Sequence, residues 1–302
     1  MLQLLRTLHL LKQCSNNTAY NVLIQGVIMK TPSILKTLSI AATLTLTTAI
    51  TMPAIAGSQS NAKAHFSADQ IANFAKQVEH YAARQGARAF IIGRIGQDPK
   101  GLPRGIKFTH TAIAVYSQIK LKNGENAKGY VIHNLYQRNK RPNKSDLVTD
   151  FPVDFFWGAQ RLSAGISIPT PAVQQRLIEA INNGVAQQVH NPNYSVIANP
   201  MNNKYQNCTE HTLLVLNSAI YQTTNLERLY ENHKTYFTPQ TVHSSPFKLM
   251  LGNAFVSGVT TADHKSKVKT ATFGSISRYL NNYDLLYKSI TLNANGRVTN
   301  NI

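Results

Sequence analysis

Apolar residues first recur at helical spacing in Ile71, Phe74, Ala75, Val78, Tyr81 and Ala82, and the stretch before them, Ser67-Ala68-Asp69-Gln70, has capping-box form. The pattern predicts an amphipathic helix that ends at Gly86. Ala87 to Ile95 then reads as a strand through Phe90-Ile91-Ile92. Gly96 to Lys107, with its glycines and prolines, reads as a loop. Phe108 to Tyr116 and Gly129 to Tyr136 are rich in β-branched and aromatic residues and flank Asn123-Gly124, the signature of a hairpin.

Farther along, Ile166-Ser167-Ile168 and Tyr194 to Ile197 read as short strands, and Thr170-Pro171 opens a helix through Leu177, Ile178, Ile181 and Val185. Asn207 is a good N-cap, and Leu213, Leu216 and Ile220 follow at helical spacing, so a buried helix is predicted with Cys208 in its first turn. Helical patterns near 224–231, 245–252 and 273–281 and a strand around 254–260 complete the chain. The expected fold class is α+β, a small antiparallel sheet packed beside the cysteine helix, with additional helices.

On a period-two count His110 shares a face with Ala112 and Ala114, whose small side chains leave room for an imidazole to meet another group. A two-residue turn at Asn123-Gly124 places His133 opposite Ala114, on that same face. A longer loop over 122–128 leaves the register open.

The N-terminal region changes the address. Met29-Lys30-Thr31-Pro32, an apolar run from Leu38 to Ile50 and Ala54-Ile55-Ala56-Gly57 have the form of a secretory signal peptide cleaved near Ala56-Gly57. Residues 1–28 read as a non-translated or non-structural extension, 29–56 as the signal peptide and 57–302 as a single domain, periplasmic or secreted, with no transmembrane span after cleavage. Cys14 then falls outside the mature chain and Cys208 is its only cysteine, which excludes an internal disulfide.

Lysine and arginine number 31 against 13 acids, a formal net charge of +18. Such an excess favours anionic partners, and for an exported protein these are acidic glycans, cell-wall carboxylates and anionic lipid head groups. The address and the lack of an aromatic-basic recognition motif argue against nucleic acid.

A lone cysteine is either a small buried hydrophobe or a nucleophile. Orphan N–H groups and the positive end of the helix dipole favour a thiolate at Cys208. Cys208 and His211 have metal-pair spacing, but no second pair completes a site, so no metal and no cofactor are expected. Haem attachment needs a second cysteine. His243 and His264 are downstream alternatives to His110 as the base.

The order of His110, a hairpin return carrying a polar residue, and Asn207-Cys208-Thr209-Glu210 far downstream resembles the circularly permuted branch of the NlpC-type papain-like hydrolases. Residues from about Ala87 to Asp284 also resemble an uncharacterised family of exported proteobacterial proteins, domain of unknown function 2145. Arg94-Ile95-Gly96, Phe108-Thr109-His110, Tyr130-Val131-Ile132-His133 and Asn207-Cys208-Thr209-Glu210 carry that likeness.

The first resemblance implies a permuted papain-like fold, Cys208 as nucleophile, His110 as base and His133 as the residue orienting the imidazole, in place of the commoner carboxylate or amide. The Cys208 N–H would be one oxyanion donor, and Asn202, Asn203, Tyr205 and Asn207 are candidates for the second. The implied activity is hydrolysis of an amide or ester acyl bond, with cell-wall peptide amides as substrate. Two alternatives are a lipid or lipopeptide acylhydrolase, favoured if Phe151, Phe155, Phe156 and Trp157 line a groove, and a non-catalytic basic envelope-binding protein.

Overall fold

A computed structural model describes residues 64–242 and 260–302. The signal-peptide pattern, Cys14, His243, the helix near 245–252 and nearly all of the strand at 254–260 lie outside the described residues.

Ser67 caps α1 (Ala68–Arg84) in a reciprocal capping box with Gln70, and its apolar stripe is buried. The strands β1 (Ala89–Ile95), β2 (His110–Lys120), β3 (Asn126–Gln137), β4 (Ser145–Asp150) and β5 (Arg161–Pro169) follow, with the one-turn helix α2 (Pro152–Trp157) between β4 and β5. Next come α3 (Pro171–Asn182), α4 (Val185–Gln188), the cysteine helix α5 (Cys208–Tyr221) and α6 (Leu226–Tyr236). A small ribbon of β6 (Gln240–Thr241) and β7 (Lys269–Thr270), helix α7 (Phe273–Asn282) and strands β8 (Leu286–Asn293) and β9 (Val298–Asn300) end the chain.

The main sheet has seven strands in the order β4-β3-β2-β1-β5-β8-β9, and every neighbouring pair is antiparallel. It is larger than the small sheet expected, because β4, β8 and β9 lack a strong apolar alternation. The expected helix through Val185 is broken at Gly184, whose φ of +70° ends α3 and starts α4. Tyr194 forms only an isolated parallel bridge with Gln206 instead of a strand.

Strand alternation sends the two faces of the sheet into different cores. Phe90, Ile92, Ala112, Ala114, Ile132, Ala164 and Ile166 pack under α1 and α2 with Phe74, Val78, Phe155 and Phe156. Ala89, Ile113 and Val115 face the opposite way, toward Leu177, Leu214, Val215 and Leu229 of α3, α5 and α6. Also on that second face, Gly93 and Gly165 leave the space that Phe108 and Phe273 fill, since a Cβ on Gly165 would stand 2.8 Å from both rings. Helix α5 is buried from Cys208 through Ile220, its apolar residues Leu213 to Leu216 together with polar ones such as Glu210, His211 and Asn217.

Candidate active site at the start of the cysteine helix

Asn207 caps α5 as expected: its Oδ1 accepts from Glu210 N at 2.9 Å. Its Nδ2 donates to the Val196 carbonyl at 2.9 Å and to Thr270 Oγ1 at 3.2 Å, tying the helix start to the neighbouring loops. Cys208 is thereby fixed at the first helical position, only 6% exposed, with its Sγ 3.7 Å from Thr209 Oγ1.

Burial pushes the Cys208 thiol up, and hydrogen bonding from Thr111 and Thr209 together with the charge of Arg94 only partly opposes it. The thiolate expected from helix position alone is therefore not the resting form. Desolvation outweighs the helix terminus.

The second element is the hairpin. His110 opens β2 and its Nε2 lies 3.0 Å from Asn134 Oδ1, within β3. The Asn134 amide nitrogen donates to Asp150 Oδ2 at 3.2 Å and to the Ile132 carbonyl at 3.3 Å, which turns Oδ1 toward the imidazole. An acceptor at that place requires the proton on His110 Nε2, and leaves Nδ1 with a lone pair and no hydrogen bond among the described residues. Asp150 Oδ2 also accepts from Tyr136 Oη at 2.7 Å, and the Tyr136 ring stacks on the imidazole with centroids 4.7 Å apart and planes 8° from parallel. Burial and the nearby Arg94 charge lower the His110 pKa to about 3, so the imidazole is neutral at physiological pH.

His133 does not take the orienting position. It pairs with Ile113, while Ala114 pairs with Ile132, one residue away from the alignment that a two-residue turn gives. Leu121 N instead bonds Glu125 O, Gly124 N bonds Leu121 O, and Gly124 has φ +87°, a turn followed by a left-handed glycine. A one-residue slip exchanges the faces of the strand, so Asn134 and Tyr136 lie on the His110 face and His133 on the other. There His133 is close enough to His211 to oppose its protonation.

The start of α5 meets the start of β2 through Thr209 Oγ1, 3.3 Å from Thr111 Oγ1, and Thr212 Oγ1, which donates to the Thr111 carbonyl at 3.4 Å. Thr111 directly follows His110, and both Arg94 and Tyr136 sense Cys208. Cys208 and His110 thus occupy the same end of the sheet, without a hydrogen bond between them.

The amide-rich loop before α5 serves structure. Asn202 donates to the Asp263 carbonyl at 3.1 Å, Asn203 Oδ1 accepts from Tyr230 Oη and from Asn191, and Tyr205 lies beneath Lys204 Nζ at 5.9 Å. With Asn207 committed to its cap, the structure records no contact of these residues with the Cys208 sulfur. His264 is held by the Ile197 carbonyl at 2.9 Å and by Asp263.

Asn134, Tyr136, Asp150 and Arg94 are the residues that the pattern analysis did not single out for the site. The signal for the first two was Gly124, whose place in the turn sets which face of β3 meets His110. Among the described residues there is no group of His, Cys, Asp and Glu arranged to hold a metal, and no helix long and apolar enough to cross a membrane.

In a comparison with protein families, the model described as "uncharacterized protein conserved in bacteria (DUF2145)" matches residues 81–280, a span that starts in the last turn of α1 and holds β1 to β5, α5 and every residue of this site. No curated protein and no solved structure matches the chain.

Proposed function

The chain belongs to the DUF2145 family, and from that premise we propose that it is an exported cysteine hydrolase of permuted papain-like architecture, cleaving amide bonds of cell-wall peptides with Cys208 as nucleophile and His110 as base. The observation that carries this reading is the 3.0 Å contact of His110 Nε2 with Asn134 Oδ1, which leaves Nδ1 as the free basic nitrogen. A histidine packed only for structure has no need of a buried amide, itself held by a buried carboxylate, to fix its tautomer.

In the proposed reaction the pair starts neutral. Sγ attacks the acyl carbon as its proton passes to His110 Nδ1, and the carbonyl electrons move onto oxygen. Asn134 accepts from Nε2–H of the resulting imidazolium, as an amide does in the cysteine, histidine and asparagine arrangement. Collapse of the tetrahedral intermediate expels the amine, which takes the proton from Nδ1. Water then gives a proton to Nδ1 and attacks the thioester, and release of the carboxylic acid restores the thiol. A neutral resting pair suits an oxidising compartment, because the thiolate is the oxidisable form.

The positive charge, +18 for the whole chain and +14 without Arg6, Lys12, Lys30 and Lys36 of residues 1–56, supports an anionic envelope substrate. Phe155 and Phe156 belong to the core under α1 instead of lining a groove, which favours the peptide over a lipid acyl chain. One observation favours the non-catalytic reading: a 6% exposed thiol with a raised pKa is what a structural cysteine looks like.

Incubation with muropeptides and with lipid esters, followed by mass spectrometry, separates the readings. Cleavage of muropeptides that falls at least ~10³-fold in Cys208→Ala and in His110→Ala is the expected result. Wild type indistinguishable from Cys208→Ala on both panels sinks the hydrolase.

A further inference from the structure

Arg94 is 2% exposed and makes no ion pair among the described residues. It sits opposite His110 in the β1–β2 ladder. Its Nη1 donates to the Phe155 carbonyl, and the guanidinium carbon lies 5.3 Å from the Phe155 ring centre and 5.7 Å from that of Tyr136. Nε is buried without a partner. Nη2 also has no hydrogen bond among the described residues, yet it is not among the fully enclosed unpartnered atoms. A buried cation left unpaired is costly, and a protein that needs one only for packing would supply a carboxylate.

Resting on the cysteine hydrolase reading, we propose that Arg94 is a catalytic residue of this site, its Nη2 holding the negative charge that develops at Cys208 and then on the oxygen of the attacked acyl group. It takes the place in the oxyanion site that the loop asparagines do not fill. The charged and titratable groups around it are Tyr136, Asp150, His110 and Cys208, and each fits the assignment. Asp150 is engaged by Tyr136 and Asn134 and forms no ion pair with the guanidinium. Arg94 also opposes protonation of the resting His110, so Nδ1 carries no proton when Sγ attacks, and it favours an anion at Cys208. One fixed charge thus favours both the deprotonated nucleophile and the unprotonated base.

The test uses the full chain and follows iodoacetamide labelling of the Cys208 peptide against pH, alongside His110 titration by NMR, in wild type, Arg94→Met and Arg94→Lys. With Arg94 removed as a charge, Cys208 labelling at pH 7 should slow roughly tenfold or more, while His110 titrates at higher pH; lysine should restore most of both. A folded Arg94→Met with both profiles unchanged overturns the assignment. So does a wild-type His110 that titrates near its ordinary value, a measurement that stands even if the methionine variant fails to fold. A labelling response to Arg94→Met in a protein that cleaves no acyl substrate removes the hydrolase reading and leaves the electrostatic assignment standing. Acyl turnover indifferent to Arg94→Met does the reverse.

Discussion

The two faces of the β2–β3 hairpin bury polar groups in opposite ways. Toward α1, one connected chain runs from Asp150 through Asn134 to His110, with Tyr136 bonded at one end and stacked at the other. Toward α5 the side-chain bonds to backbone are separate ones, Thr212 to the Thr111 and Cys208 carbonyls and His211 to the Ala186 carbonyl at 3.0 Å, while Asn217 Oδ1 and Ser218 Oγ are buried without a partner among the described residues. Isolated bonds to backbone hold a helix in place and do little else. A chain of side chains ending at a ring nitrogen with no partner among the described residues fixes a tautomer, and that is the difference between the face that orients His110 and the face that anchors the cysteine helix.

The largest effect expected from this comparison is on the supporting face. Leu214 is fully buried between α5 and the sheet, so Leu214→Ala should cost about 2–5 kcal/mol in urea unfolding. A network substitution that costs more than Leu214→Ala in the same measurement would erase the distinction.

Next comes acid. Burial lowers the His211 pKa to about 4, so the unfolded chain binds a proton that the native state refuses between about pH 6.5 and 4. Its contribution to stability is present above that window and lost as pH falls through it. At pH 4 the gap between wild type and His211→Gln should have moved by about 3 kcal/mol in favour of the variant, relative to pH 7. Glu210, whose pKa burial raises, changes stability in the opposite sense, losing its contribution as pH rises above the ordinary glutamate range. A single-site comparison is therefore cleaner than the whole profile.

On the network face, Asn134→Ala strips His110 and Asp150 of a shared partner and should cost about 1–3 kcal/mol. It should also shift the His110 titration, while the matched change His133→Ala on the opposite face leaves that titration where it was. A His110 titration that follows His133 instead would reverse the assignment of faces. The smallest effect belongs to the turn: Gly124→Ala, strained at φ +87° with open space around its Cβ, should cost about 1 kcal/mol without altering the site.

The sequence by itself determined the elements whose apolar spacing is strong and local. The capped α1, strand β1, the β2–β3 hairpin and the Asn207-capped start of α5 all stand where the pattern put them. It also brought His110 and Cys208 forward, because a strand histidine beside small residues and a helix-start cysteine are readable from neighbours a few positions away.

Only the tertiary structure decided the rest. Which residue meets His110 depends on a register set by one residue in a turn, and the period of two in a strand makes that single step exchange Asn134 for His133. The ionisation of Cys208 and His110 depends on how much protein lies between them and water, and burial outweighs the helix terminus that sequence reveals. Arg94 stands in the sequence only as part of a stretch that carries a family likeness, with no role at the site. Its significance comes from being enclosed without a counter-ion among the described residues, a property of packing that no local pattern encodes.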